Sequence, residues 1–146
     1  PHMVAIMTDL LDVGPGDRVF EVGTGCGYHA AVVTEIVGPG NVHSVEYVPE
    51  LADAARDRLS RLGYDVTVRA GDGRTAFPDA APFDAAYLTC APPDGVPDQI
   101  VDRVRTGGRV VAPIGRAGAQ RLIRLTVGEE TVEREDHGGV RFVPMR

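Results

Sequence analysis

Cysteine, histidine and long apolar runs are scarce in this 146-residue sequence, and each shortage removes a class of function. Its two cysteines, Cys26 and Cys90, are far apart and belong to no Cys-x-x-Cys pair, so the metal-binding and thioredoxin-like readings lack their spacing. Both read as small buried residues. The four histidines, His2, His29, His43 and His137, form no His-x-x-x-His ligand pattern; His29, His43 and His137 read as surface or hydrogen-bonded side chains, and no metal is expected. No apolar run approaches the roughly 20 residues needed to cross a bilayer. The start carries no basic stretch followed by an apolar core and a cleavage site, so a cytoplasmic location is expected by default. Positive charge is also in deficit: 15 basic residues, all arginine, face 21 acidic ones, and the net charge of -6 argues against a broad electropositive footprint for nucleic acid. No internal repeat, low-complexity tract or second domain is visible. What remains is an ordinary globular composition, 43% hydrophobic and 25% charged, in a chain long enough for one domain, residues 1–146, to bury a core without disulfides or a structural metal.

The order of elements is α/β. Met3, Met7, Leu10 and Leu11 recur at helical spacing before Gly14-Pro15-Gly16 stops the helix. Arg18 to Val22 reads as a first strand, Ala30 to Val37 as a helix closed by Gly38-Pro39-Gly40, and Val42 to Glu46 as a second strand, together a βαβ unit. Pro49 opens a helix with Leu51, Ala52, Ala55, Leu59 and Leu62 on one face, and Val66 to Ala70 follows as a third strand. Phe83 to Thr89 reads as a fourth strand, Asp98 to Val104 as a short helix, and Gly107-Gly108 as the lead into a fifth strand at Arg109 to Pro113. Gln120 to Val127, Thr131 to Glu135 and Val140 to Pro144 form a β-rich end, with turns at Gly128-Glu129 and Gly138-Gly139. Alternating strands and helices predict a mostly parallel sheet with right-handed crossovers and antiparallel strands at one edge. Phe83, Tyr87 and Phe142 read as core, Asp84 as a turn or edge carboxylate, and the acidic run from Glu129 to Asp136 as a solvated hairpin face.

The chemistry concentrates after the first strand, in Glu21-Val22-Gly23-Thr24-Gly25-Cys26-Gly27-Tyr28. Bare backbone at alternating positions lets a ligand approach the main chain closely. A pyrophosphate would be repelled by Glu21, whereas the ammonium of an amino-acid moiety would be attracted to it. A dinucleotide fingerprint would place its third glycine where this chain has Tyr28, which disfavours a nicotinamide oxidoreductase. S-adenosyl-L-methionine carries such an ammonium and no phosphate. Glu46 ends the second strand about 20 residues past the loop, where a carboxylate accepts both ribose hydroxyls. Asp72, between Gly71 and Gly73, suits an exocyclic adenine amine, with the Gly73 N–H toward a ring nitrogen. Tyr47 reads as a cover for the adenine face or as an exposed ring. Three acidic groups thus match three donor groups of one ligand.

The start Pro1-His2-Met3-Val4-Ala5, the glycine loop, Gly71-Asp72-Gly73, Pro113-Ile114-Gly115 and the end Gly139-Val140-Arg141-Phe142-Val143-Pro144 closely resemble the protein-L-isoaspartate O-methyltransferases, over the whole chain. The resemblance implies a seven-stranded Rossmann-like methyltransferase sheet with helices on both faces. It implies transfer of a methyl group from S-adenosyl-L-methionine to the α-carboxylate of isoaspartyl residues in damaged proteins, a repair activity. By the same resemblance, Pro1, His2 and Met3 lie over the cofactor. Glu21, Val22, Gly23, Thr24, Gly25, Gly27 and Tyr28 form the methionine loop, Glu46 and Tyr47 contact ribose and adenine, and Asp72 and Gly73 contact adenine. Val140, Arg141, Phe142, Val143 and Pro144 form the substrate-side wall. In the family a serine or threonine just upstream of the Pro-His-Met motif is assigned a substrate or catalytic role; this chain begins after that position, so no catalytic residue is named. Thr89-Cys90-Ala91-Pro92-Pro93 departs from the family's alanine-rich stretch and borders the substrate. Two alternatives stay open: a related peptide aspartate methyltransferase of natural-product synthesis, and a catalytically silent cofactor-binding domain.

Overall fold

The computed structural model describes residues 1–146 and contains eleven elements: α1 (His2–Leu11), β1 (Val19–Val22), α2 (Tyr28–Val37), β2 (Val42–Glu46), α3 (Pro49–Arg61), β3 (Val66–Ala70), β4 (Phe83–Leu88), α4 (Asp98–Val101), β5 (Val104–Ile114), β6 (Gln120–Val127) and β7 (Val132–Val140). The strands form one sheet in the order β3-β2-β1-β4-β5-β6-β7. Pairings from β3 to β5 are parallel, and β5–β6 and β6–β7 are antiparallel. Strand order reverses direction between β1 and β4, which opens a crevice beyond their carboxyl ends, the usual ligand position in such sheets.

Side-chain alternation divides the core into two layers. Val19, Val42, Ala85, Tyr87 and Val111 face α1 and α2, meeting Met7, Leu11, Ala30, Val33 and Val37. Phe20, Val22, Val45, Ala86, Leu88, Val110 and Ala112 face the other side, where Ile100 of α4 and Phe77 cover them. Every residue of β1 is buried, so this strand reads as a continuous run without polar alternation. Helix α3 starts with Pro49 in its first turn and places Ala52, Ala55 and Leu59 inward, where Ala52 and Leu59 pack with Val68. No helix is long and apolar enough to cross a membrane.

The β-rich end differs from its sequence expectation around two glycine pairs, each of which reads as punctuation. Gly107-Gly108 does not precede the fifth strand but lies inside it: β5 starts at Val104, which pairs with Phe83, and the register shifts before Arg109 pairs with Ala85. A Cβ at Gly108 would stand 2.5 Å from the Asp84 carbonyl oxygen, so glycine is what permits this bulge. The preceding helix accordingly ends at Val101 rather than Val104. Gly138-Gly139 is not a turn either. β7 continues through both to Val140, with a register irregularity opposite Arg121 to Ile123 and the Gly138 N–H bonded to Asp136 at 2.9 Å. The expected strand Val140 to Pro144 is therefore reduced to Val140, the last residue of β7, and an isolated parallel bridge between Pro144 and Ala91.

Candidate functional site

Beyond β1 the chain turns through Gly23, Gly25 and Gly27, with φ of +100°, +56° and +91°, and Gly27 is the N-cap of α2. Gly23 is constrained from outside as well as by its dihedral. The Thr89 hydroxyl donates to the Gly23 carbonyl at 2.5 Å, and a Cβ on Gly23 would lie 2.2 Å from that oxygen. The end of β4 thus grips the start of the loop.

The loop borders a cavity of about 530 Å³. Val22, Gly23 and Gly25 form one side, Val45, Glu46 and Tyr47 from the end of β2 another, and Gly71 and Gly73 after β3 a third. Thr89 and Cys90 floor the side nearest β4, and Val143 to Arg146 close it. Glu46 is only 8% exposed. Its Oε1 accepts the Gly25 N–H at 2.8 Å and its Oε2 accepts the Val48 N–H at 3.0 Å, which fixes the carboxylate while each oxygen keeps acceptor capacity for a ligand hydroxyl. Burial pushes the Cys90 thiol up to about 11, so it lines the cavity as a neutral group.

Glu21 lies elsewhere than the sequence suggests. Alternation along β1 sends Val22 toward the cavity and Glu21 to the α1/α2 side, where it is fully buried. Tyr87 donates its hydroxyl to Oε2 at 2.5 Å, Ser44 donates to Oε1, and Thr24 pairs with Ser44 at 2.5 Å. The His29 ring packs on Tyr87 with centroids 4.2 Å apart, and His29 Nε2 pairs with the Thr8 hydroxyl at 3.0 Å. Desolvation lifts the Glu21 carboxyl to about 7 despite its two hydroxyl donors, and the same burial lowers His29 to about 4. The carboxylate that reads as a partner for a ligand ammonium is thus a strut beneath the loop, acting through Ser44 and Thr24 and not at the cavity wall.

The remaining expected residues divide. Gly23, Gly25, Val22, Glu46, Tyr47, Gly73, Val143 and Pro144 line the cavity together. Asp72 does not line it; its carboxylate accepts the Arg74 backbone N–H at 2.8 Å and pairs with the Arg74 guanidinium at 3.2 Å. Thr24 is turned inward to Ser44. Gly27 and Tyr28, with Cys26, border a separate apolar hollow between α2 and α3, and Cys26 is exposed rather than buried. Pro1 and His2 are exposed, Met3 packs on the core, and none of the three lines the cavity. Val140 and Arg141 border a shallow polar hollow with Arg121, and Phe142 packs against the core. Leu51, Met145 and Arg146 line the cavity without being singled out by sequence; Leu51 reads as the apolar face of α3, yet it is 47% exposed.

The family model described as protein-L-isoaspartate(D-aspartate) O-methyltransferase matches residues 1–146. A protein of Archaeoglobus fulgidus named protein-L-isoaspartate O-methyltransferase 2 is 51% identical over 149 residues, with 100% of this chain and 67% of its own length covered. One of Methanopyrus kandleri, named protein-L-isoaspartate O-methyltransferase, is 48% identical, covering 99% and 66%. A solved structure of that name superposes with a TM-score of 0.89 at 30% identity, covering 99% of this chain and 46% of that one. A putative protein-L-isoaspartate O-methyltransferase from Plasmodium falciparum, solved in complex with S-adenosyl-L-homocysteine, has a TM-score of 0.82 at 20% identity, a likeness of fold covering 100% and 74%. The chain spans about two thirds of the length of these curated relatives and less than half of the first solved structure.

Proposed function

The chain belongs to the protein-L-isoaspartate(D-aspartate) O-methyltransferase family, and on that premise we propose that it transfers a methyl group from S-adenosyl-L-methionine to the α-carboxylate of L-isoaspartyl residues in damaged proteins and peptides. One observation carries the proposal: a nearly buried Glu46 carboxylate, held by the Gly25 N–H, faces a cavity floored by bare glycine backbone at the carboxyl ends of β1 to β3. The cavity fits the cofactor. Glu46 suits paired ribose hydroxyls, the Gly23 to Gly25 backbone suits close approach of the methionine part, and Val22, Val45 and Leu51 supply apolar surface. Tyr47, 53% exposed, is assigned to the adenine face and Gly73, which lines the cavity, to the adenine edge; Asp72, outside the lining and paired with Arg74, is assigned there by family membership and would have to turn from that pair to reach the ligand. Pro1, His2 and Met3, which lie outside the cavity lining, are assigned to the segment over the cofactor by family membership alone.

When bound, S-adenosyl-L-methionine supplies a methyl group activated on sulfur. The nucleophile needs little help, because a peptide α-carboxyl with a pKa of about 3.5 is ionised at neutral pH and requires no general base. What the protein's residues contribute is alignment: Glu46 and the glycine loop fix one reactant, and Val143 and Pro144 wall the other side. Positioning of this kind is worth about 7 to 11 kcal/mol in favourable cases. The adjacent backbone amide nitrogen of the peptide then attacks the ester carbonyl and loses its proton as methanol leaves, closing a succinimide, and water opens that ring to re-form normal aspartate in part. The proposal places this repair in the cytoplasm, with isoaspartyl proteins as the partner and no role for nucleic acid. The test is to incubate an isoaspartyl peptide with the protein and S-adenosyl-L-methionine and follow it by chromatography. Conversion to succinimide and aspartyl forms is expected only when both are present; an unchanged isoaspartyl pool would overturn the proposal.

A further inference from the structure

The wall formed by Val143 and Pro144 belongs to no helix or named strand, and something must hold it. The β6–β7 ladder ends at the pair Gln120–Val140, and the chain then leaves the sheet. From that last rung the Gln120 side chain, on a residue only 4% exposed, reaches along the departing segment. Its Nε2 donates to the Phe142 carbonyl at 2.9 Å, and its Oε1 accepts the Phe142 N–H at 2.6 Å. This is the donor–acceptor pair that a neighbouring strand's peptide group would offer, so the side-chain amide extends the ladder by one rung where the backbone cannot. On the other side Ala91 takes over, donating its N–H to the Val143 carbonyl at 2.7 Å and accepting the Met145 N–H at 2.9 Å. Between these anchors Val143 stands 68% exposed with its apolar side chain at the cavity.

We infer that Gln120 is a positioning residue for substrate: it touches neither reactant, but by bracketing Phe142 it sets Val143 and Pro144 at the height where an extended peptide carrying the isoaspartyl residue packs against them. This inference rests on the methyltransferase reading above for its substrate. The amide is specific to the task. Glutamate has the same length but no donor, and its oxygen would oppose the Phe142 carbonyl; methionine keeps the volume and loses both bonds.

The test uses the wild-type protein with Gln120→Glu and Gln120→Met, so that a folding defect in the first leaves the second. Hydrogen exchange at the Phe142 amide is expected to accelerate in Gln120→Met, which removes its acceptor, whereas Gln120→Glu keeps an oxygen for that N–H and loses only the bond to the Phe142 carbonyl. KM for an isoaspartyl peptide is expected to rise by about tenfold or more, with S-adenosyl-L-homocysteine affinity held within about twofold. An unchanged peptide KM in a variant whose Phe142 amide exchanges faster would overturn the positioning role. So would a parallel loss of cofactor affinity and thermal stability, which marks a merely structural residue. If the wild type forms no ester on the peptide, the substrate reading fails instead; the exchange measurement then still decides whether Gln120 anchors the wall, and unchanged exchange in Gln120→Met overturns that anchoring too.

Discussion

Glu21 and Glu46 stand on neighbouring strands with opposite surroundings: one is enclosed by hydroxyls, and the other opens on the cavity. For Glu46 the expectation concerns binding. Glu46→Ala removes a charged acceptor, and calorimetry with S-adenosyl-L-homocysteine is expected to show affinity weakened by about 1.5 to 3 kcal/mol. Unchanged affinity would remove Glu46 from the ribose contact. For Glu21 the expectation concerns stability. Its carboxyl is raised from 4.5 to about 7 by burial, so across that window the folded state holds a proton that the unfolded chain has released, and stability falls as pH rises. His29, lowered from 6.5 to about 4, works in the opposite direction, because there the unfolded chain holds the extra proton and stability rises with pH. The two offset each other where the windows overlap. In Glu21→Gln only the histidine contribution remains, so urea denaturation is expected to show the variant gaining on wild type as pH climbs from about 4.5 to about 7. A pH-independent difference would contradict burial as the cause. The sequence makes Glu46 legible because it ends a strand at a fixed distance from the glycines. It misplaces Glu21 because adjacent residues of a strand face opposite sides, and in a strand buried on both sides no polar alternation marks which side is which.

The loop between β1 and α2 and the wall after β7 are the elements that shape the site. Gly23→Ala would force a side chain to φ near +100° and drive a Cβ to 2.2 Å from the Thr89 hydroxyl. Thermal unfolding is expected to report a loss of about 1 to 3 kcal/mol from the backbone alone, with further loss from the clash. Adding Thr89→Ala removes the clash but not the dihedral strain, so the double variant should recover part of the loss. Strictly additive effects would mean that Thr89 does not grip the loop. Glycine is also where sequence and structure part at this scale. Gly23, Gly25 and Gly27 are readable because a strand and a helix flank them. Gly107-Gly108 reads as the lead into a strand and Gly138-Gly139 as a turn, but both lie at register shifts within β5 and β7, since what decides is the partner strand, such as Asp84 against Gly108, and the partner lies far away in sequence. The Gln120 bracket leaves no local pattern at all, because its two partners are backbone atoms 22 residues on.

At the scale of the molecule, the reversal of strand order between β1 and β4 places the glycine loop, the end of β2 and the turn after β3 around one cavity, and the antiparallel edge returns the last residues to cover it. The parallel half of this plan follows from alternating strands and helices, and the two ends of the sequence point to the family, whose model matches the full 146 residues. The substrate is the claim on which the rest depends, and methyl transfer from labelled S-adenosyl-L-methionine to a matched pair of peptides, one isoaspartyl and one normal aspartyl, tests it most directly. The expected result is base-labile methyl ester on the isoaspartyl peptide alone. Ester on the normal aspartyl peptide would point to a different peptide methyltransferase, and label on neither would contradict catalysis by this chain.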